Sequence, residues 1–250
     1  MSSGTVPSGV VVLTDRRLVG AGGLARVVAG AVGQGVRWVV LREKDLPRAE
    51  RAALAADLRA ILGDVGGTLV VAGPDPLGGD AVHLPAAGPY PPPPLPLVGR
   101  SCHNQAELDR LTTEHYATVS PVHLTRTKPG YGPPLGTEGL RKLIESSPVP
   151  LLALGGVETP EQVTACVDAG ATGVAVLGAI MRAKDPAETA AKLCSAFQEA
   201  VTPELTQTRR EPTRVPTTGL RPTVPTQGSS LTARSGHGRP QPPRATEESP

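Results

Sequence analysis

The sequence predicts one (β/α)8 barrel of the TIM-barrel class over residues 8–200, followed by a disordered tail over residues 202–250. Eight short apolar runs, rich in Val and Leu, recur through residues 10–180 at the length of strands buried on both faces. Amphipathic, alanine-rich segments separate most of these runs, and such alternation implies parallel strand pairing. A doubly wound open sheet would fit the same alternation, so both architectures are open at this point.

The strand candidates are almost continuously apolar. They are Val10–Thr14, Trp38–Leu41, Thr68–Val71, Ala81–Leu84, Leu97–Cys102, Tyr116–Ser120, Leu151–Leu154 and Gly173–Leu177. Aromatic residues make up only 2% of the chain, so the core must be built from Val, Leu, Ala and Ile.

Helix-end signals mark three of the intervening segments. Pro47–Leu62 begins with a proline suited to a first helical turn and is followed by Gly63, a typical C-cap residue. Thr159–Ala169 opens on a capping-box pattern, with Thr, Pro and then Gln three positions on. Asp185–Glu199 opens on Asp-Pro. Each segment is therefore predicted to be a helix.

The sequence predicts one or two helices fewer than the eight of a complete (β/α)8 barrel. Residues 73–80 are too short and too rich in Gly and Pro for a full helix, and Pro89–Pro96 holds six prolines in eight positions. We therefore expect a barrel with one or two shortened helices.

The tail differs from the barrel in composition. From Val201 to Pro250 there are nine Pro, seven Arg, four Glu and no aromatic residue, a composition that cannot offset the entropy of ordering. Residues 1–200 carry a net charge of −1, so no nucleic-acid partner is expected.

The protein is expected to be cytoplasmic. Its three cysteines lack metal-ligand spacing, the first residues do not resemble a signal peptide, and no apolar run approaches 18 residues. No membrane association is predicted.

Barrel active sites lie where the strands meet the loops that follow them. Gly155, Gly156, Leu177 and Gly178 follow the seventh and eighth strand candidates, where backbone N–H groups commonly bind phosphate. Ordinary strand-to-helix turns would have the same composition, and that alternative stays open.

Two polar clusters at the same end suit an anionic substrate. Arg42 and Lys44 share one face after the second strand, and the sixth strand leads to Thr125, Thr127 and Lys128. A solvated charged loop is the alternative interpretation.

Histidines follow two of the strands. His103 follows the fifth strand and could transfer protons near neutral pH. Ser101, on the same face, is a candidate substrate-binding residue. A lone histidine is more often structural, and His83, at the end of the fourth strand, is expected mainly to pack.

The ordered set of motifs resembles the thiamine phosphate synthase superfamily, which also contains the thiazole tautomerases. The matching segments are Leu13–Asp15, Val40–Lys44, Ala81–Leu84, Gly99–His103, Thr125–Lys128, Ala153–Val157 and Gly173–Ile180. The resemblance covers about residues 10–200 and implies a (β/α)8 barrel, a thiazole phosphate substrate, and a homodimer such as relatives often form.

The resemblance also implies where the chain departs from the synthase. The synthase joins a hydroxymethylpyrimidine diphosphate to a thiazole phosphate, using Mg²⁺ held by acidic residues. Its strand 3 ends in Asn-Asp, where this chain has Ala72 and Gly73, and its later acidic ligand falls near Gly88. Asp75 and Asp80 have the wrong spacing to substitute. A hard dication needs oxygen ligands, so no metal site is predicted.

The resemblance therefore favours a tautomerase that aromatises a thiazole carboxylate phosphate, with His103 carrying the proton and no cofactor. Two alternatives remain. The first is a thiamine phosphate synthase, which would use Mg²⁺, and the second is a non-catalytic barrel that binds thiazole or thiamine phosphate.

Overall fold

A computed structural model of the chain, which describes residues 6–19, 23–124 and 133–202, contains a closed barrel of eight parallel strands. The strands pair in chain order, and β1 closes the barrel by pairing with β8. They are β1 (Gly9–Leu13), β2 (Trp38–Leu41), β3 (Thr68–Ala72), β4 (Ala81–Leu84), β5 (Leu97–Cys102), β6 (Tyr116–Val119), β7 (Leu151–Leu154) and β8 (Gly173–Val176). The predicted barrel is confirmed, and closure excludes the open sheet.

Seven helices surround the strands within the described part of the chain. They are α1 (Gly23–Gly33), α2 (Arg48–Gly63), α3 (Gln105–Leu108), α4 (Gly136–Ser146), α5 (Pro160–Asp168), α6 (Gly178–Met181) and α7 (Pro186–Val201). The capping box at the start of α5 forms as predicted, with the Thr159 side chain accepting from the Gln162 N–H. Asp185 caps α7 in the same way through the Glu188 N–H.

No helix connects β3 to β4 or β4 to β5. Residues 73–80 and residues 85–96, all of them described, contain none, and α3 has only four residues. The proline segment, residues 85–96, lies here instead, and its Leu95 packs on the apolar cluster formed by Val82, Leu84 and Val98. This segment therefore supplies the outer layer over β4 and β5.

A buried arginine of β5 fastens the proline segment. The Arg100 guanidinium donates to the carbonyl oxygens of Pro85, at 2.9 Å, and Pro89, at 2.8 Å, and lies 3.9 Å from the ring centre of Tyr90. Its Nε donates to the Glu114 carboxylate, and neither of these two side chains is exposed to solvent. The missing helix is thus replaced by a segment that Arg100 holds, and the ion pair with Glu114 holds Arg100.

The core lies in two places, between the strands and the helices and inside the barrel. The inner cluster includes Val11, Val40, Leu152 and Ala175. At the closing seam, Phe197 of α7 packs beside Gly9 at the start of β1. Helix α7 thereby returns to the strand with which the barrel begins.

Some expectations fall outside the residues that the structure describes. These are the disordered tail, of which only Thr202 is described, and the loop that holds Thr125, Thr127 and Lys128. Across the described ranges, no helix combines the length and the apolar character that crossing a membrane requires.

Candidate active site

A cavity of about 280 Å³ opens at the carboxyl ends of the strands, where barrel enzymes hold their active sites. Its floor is apolar and includes Val11, Val40, Leu152 and Ala175. The rim brings together eight residues singled out in the sequence: Arg42, Lys44, Ser101, His103, Gly155, Gly156, Leu177 and Gly178. Their functional roles remain predictions, but they face one space.

The glycine end of the cavity is formed after β7. Gly155 has φ +100° and Gly156 has φ +68°, a region that side chains rarely adopt. A Cβ on Gly156 would lie 2.3 Å from the Leu124 carbonyl oxygen, so the chain after β6 touches this turn closely. The two glycines thus place backbone without side chains at the cavity edge, where a phosphate could approach it closely.

The cationic rim, Arg42 and Lys44, follows β2, which lies three strands from β7 around the closed barrel. Between them, Glu43 turns into the protein wall, where its carboxylate accepts from the Thr14 hydroxyl at 2.5 Å and from the Arg16 N–H at 2.9 Å. The Thr14 hydroxyl in turn accepts from the Arg42 N–H at 2.9 Å. This buried arrangement fixes the strand end so that the two cationic side chains line the cavity.

A polar cluster stands within the barrel between these two ends. The His83 Nδ1 lies 3.2 Å from the Tyr116 hydroxyl, and its Nε2 lies 3.0 Å from Ser101 Oγ and 3.2 Å from Thr118 Oγ1. Burial lowers the pKa of His83 to about 3, with Lys44 and Arg100 acting in the same direction. The imidazole is therefore neutral at physiological pH and offers one donor and one acceptor.

Sequence reasoning missed the cavity role of three of these side chains. His83 is buried, as expected for a packing residue, but it also lines the cavity, as do Tyr116 and Thr118. The available signal was the alternation along β6, which turns Tyr116 and Thr118 to the same side of the strand.

His103 is joined to the helix that follows it. Its Nδ1 lies 2.8 Å from Glu107 Oε2, and the same oxygen accepts from the His103 N–H at 2.8 Å. Asn104 caps α3 by accepting from the Glu107 N–H. The sequence motif thus places an imidazole at the cavity through a compact turn stabilised by Glu107.

The described residues do not fit a magnesium ion. Ala72 and Gly73, at the end of β3, have no side-chain oxygen. Around the rim, Asp15 pairs with Arg17, Asp45 with Arg16, and Asp75 with Arg48. The Glu43 carboxylate accepts from the Thr14 hydroxyl and the Arg16 N–H, and Glu158, which lines the cavity, pairs with Arg182. Within residues 6–19, 23–124 and 133–202, no group of three or more His, Cys, Asp or Glu side chains could hold a metal ion by itself.

Known proteins resemble this chain across the whole barrel. The family model described as thiamine monophosphate synthase matches residues 10–180. A putative thiamine-phosphate synthase from Geobacter sulfurreducens is 33% identical over 199 residues, covering 72% of this chain and 90% of that protein. A thiamine-phosphate synthase from Albidiferax ferrireducens is 35% identical over 193 residues, covering 72% of this chain and 88% of that protein.

A solved structure agrees with these sequence relatives. The thiamine phosphate pyrophosphorylase from Pyrococcus furiosus superposes with a TM-score of 0.67 at 25% identity, covering 77% of this chain and 96% of that one.

These matches correct the prediction of a thiazole tautomerase, which is wrong. The prediction depended on the absence of the synthase's acidic ligands and on the short segment that ends at His103, whereas the relatives match along the whole barrel and are named as synthases. In the structure, Glu107 engages this histidine as part of the turn into α3. A segment of five residues therefore carried less information than the full set of strands and loops. The chain is an enzyme of thiamine biosynthesis and belongs to the thiamine monophosphate synthase family.

Proposed function

We propose that this protein is a thiamine-phosphate synthase, which joins hydroxymethylpyrimidine diphosphate to a thiazole phosphate and releases pyrophosphate. The relatives, which are named as thiamine-phosphate synthases, support this reaction. In it, the thiazole ring nitrogen forms a bond to the methylene carbon of the pyrimidine while the bond from that carbon to the diphosphate oxygen breaks. The reaction therefore has two anionic groups to bind and one leaving group whose negative charge must be stabilised.

The observation that carries the proposal is a single cavity with two ends suited to anions. The cationic rim lies at one end and the bare backbone of Gly155 and Gly156 at the other, with an apolar floor between them. Such a cavity suits two phosphorylated heterocycles whose rings meet over the floor. The rim would hold the diphosphate through charge-assisted hydrogen bonds, and the glycines would hold the thiazole's phosphate.

The neutral polar cluster suits this chemistry as well. The attacking ring nitrogen carries no proton, so bond formation needs no general base. His83, kept neutral by burial, supplies hydrogen-bonding groups without adding a charge. Its role would be to orient a ring, together with Ser101 and Thr118.

Product formation tests the proposal. The purified protein is incubated with both substrates, in separate reactions containing MgCl₂ or EDTA, and thiamine phosphate and pyrophosphate are quantified by mass spectrometry. We expect the two products in equal amounts. Absence of thiamine phosphate under both conditions, with either substrate still bound, would refute the synthase and favour the non-catalytic binder.

A matched pair of arginine variants locates the reaction. Arg42→Met should lower kcat/KM by roughly 10- to 100-fold, because a charge-assisted contact to the diphosphate is lost. Arg48→Met is the control, since Arg48 is exposed and pairs with Asp75 outside the cavity lining. Equal activities of the two variants would contradict the placement of the diphosphate at the cationic rim.

The cellular location and the assembly state are also proposals. All three cysteines are free thiols, which supports a reducing cytoplasm. Size-exclusion chromatography with light scattering tests the expected homodimer, and a monomeric mass would contradict it.

A further inference from the structure

The ends of β2 and β3 carry fixed positive charge where a metal-dependent site would need carboxylates. Arg51, on α2, reaches across both strand ends, and its Nη2 donates to the Ala72 carbonyl oxygen at 2.5 Å and to the Leu41 carbonyl oxygen at 3.3 Å. Its Nε is shielded from solvent and finds no acceptor among the described residues. A guanidinium is therefore held directly behind the cationic rim, at the strand end that lacks a side-chain oxygen.

The three cations lie close enough to influence one another. Burial lowers the pKa of Lys44, and the charges of Arg51 and Arg42 lower it further. Burial also lowers the pKa of Arg51, although Glu43 and Asp75 favour its charged form, and an arginine remains charged at physiological pH.

Neighbouring arginines have carboxylate partners, but the rim does not. Arg16, Arg17 and Arg48 each form an ion pair with an aspartate. Over the ranges that the structure describes, neither Arg42 nor Lys44 forms an ion pair, although Asp15 interacts electrostatically with Arg42. The Glu43 carboxylate keeps its charge but is directed into the wall, where it accepts from the Thr14 hydroxyl and the Arg16 N–H. With Arg51 behind them, Arg42 and Lys44 give this side of the cavity an excess of positive charge over the Glu43 and Asp15 carboxylates, which disfavours a dication and attracts a polyanion.

We propose that the cationic rim binds the diphosphate of the pyrimidine substrate directly, through Arg42 and Lys44 backed by Arg51, without a divalent cation between them. The identity of the diphosphate rests on the proposed function; the direct binding of a diphosphate group rests on the charges and contacts above. Guanidinium and ammonium groups here take the position that carboxylate-bound magnesium would need.

Calorimetric titration of the full chain with inorganic pyrophosphate tests the inference. The dissociation constant in EDTA should equal or fall below the value in MgCl₂, because magnesium competes with the rim for the same oxygens. Binding that appears only with magnesium, or that magnesium tightens tenfold or more, would overturn the proposal.

Two arginines of α2 form a matched pair of variants. Arg51→Met should weaken pyrophosphate binding in EDTA by roughly tenfold. Arg59→Met is the control and should leave it unchanged, because Arg59 donates to the carbonyl oxygens of Pro76 and Leu77 rather than to the strand ends. A folded Arg51→Met with unchanged affinity would overturn the role of Arg51.

A second variant covers the case in which Arg51→Met does not fold. The side chain of Lys44 lines the cavity, and Lys44 is an exposed residue, so Lys44→Met should fold and should weaken pyrophosphate binding about tenfold. Unchanged affinity would overturn the inference. These outcomes can be distinguished from those that test the proposed function. If the protein binds pyrophosphate without metal but forms no thiamine phosphate, only the synthase proposal is refuted. If it forms thiamine phosphate but binds pyrophosphate only with magnesium, only this inference is refuted.

Discussion

The buried ion pair between Arg100 and Glu114 predicts a large loss of stability when one partner is neutralised. In Glu114→Gln the Arg100 guanidinium still donates to the carbonyl oxygens of Pro85 and Pro89, which are neutral. It loses its carboxylate partner, however, at a site that is buried from solvent. Leaving one charge of a buried pair uncompensated costs about 3–5 kcal/mol. Against a total stability of about 5–15 kcal/mol for a typical domain, this is a large fraction.

Urea unfolding, followed by the fluorescence of Trp38, the single tryptophan, measures this loss. The midpoint should fall while the slope with urea stays constant, since the same surface is exposed on unfolding. Glu188→Gln is the matched control: its carboxylate pairs with Lys192 on the exposed face of α7, and its loss should cost less than about 1 kcal/mol.

A double-mutant cycle separates the pair from the other contacts of Arg100. Combining Arg100→Met with Glu114→Gln removes both charges, so the double variant should be more stable than the sum of the single losses predicts, by at least about 2 kcal/mol. Additive losses, or a Glu114→Gln variant within about 1 kcal/mol of the parent protein, would refute the argument that this pair fastens the proline segment.

The remaining predictions concern the glycine turn and the buried thiols. Gly156→Ala should destabilise the fold by at least about 1–2 kcal/mol, the cost of a left-handed residue, because the new Cβ also meets the Leu124 carbonyl; thermal unfolding measures this. Gly178→Ala should cost less, since the atoms nearest to its Cβ belong to the movable end of the Arg182 side chain, and an equal loss of stability in both variants would contradict this. Burial raises the pKa of the Cys102 thiol to about 12, so a thiol reagent at pH 8 should label it only after denaturation; rapid labelling of this residue in the native protein, located by peptide mapping, would contradict its burial.

The strands were predictable because a strand in a closed parallel barrel is buried on both faces. Trp38–Leu41 and Leu151–Leu154 were predicted with the bounds they have in the structure, since their apolar runs end where pairing ends. The proline segment was recognised as non-helical, but its packing was not predictable. Its outer-layer role depends on Arg100, whose partners Glu114 and Pro85 are distant from it in sequence.

The site residues were predictable only where the local sequence pattern determines which way their side chains face. Arg42 and Lys44 follow a strand and alternate with Glu43, so their common face could be inferred from the sequence. The position of Arg51 could not, because it depends on the length and direction of α2 relative to the end of β3. The tautomerase prediction failed for a related reason: the chemistry of a barrel depends on several loops together, and the segment ending at His103 is one of them.

The seam at which Phe197 meets Gly9 makes the barrel suitable for circular permutation. Because α7 returns to β1, a short linker could join the two ends of the barrel, and new termini could open in the proline segment, which carries no ladder hydrogen bonds of its own. The pairing of β1 with β8, now made between residues at opposite ends of the barrel sequence, would become local. The pairing of β4 with β5 would instead join residues at opposite ends of the permuted sequence, so the long-range closing contact would move to the other side of the barrel.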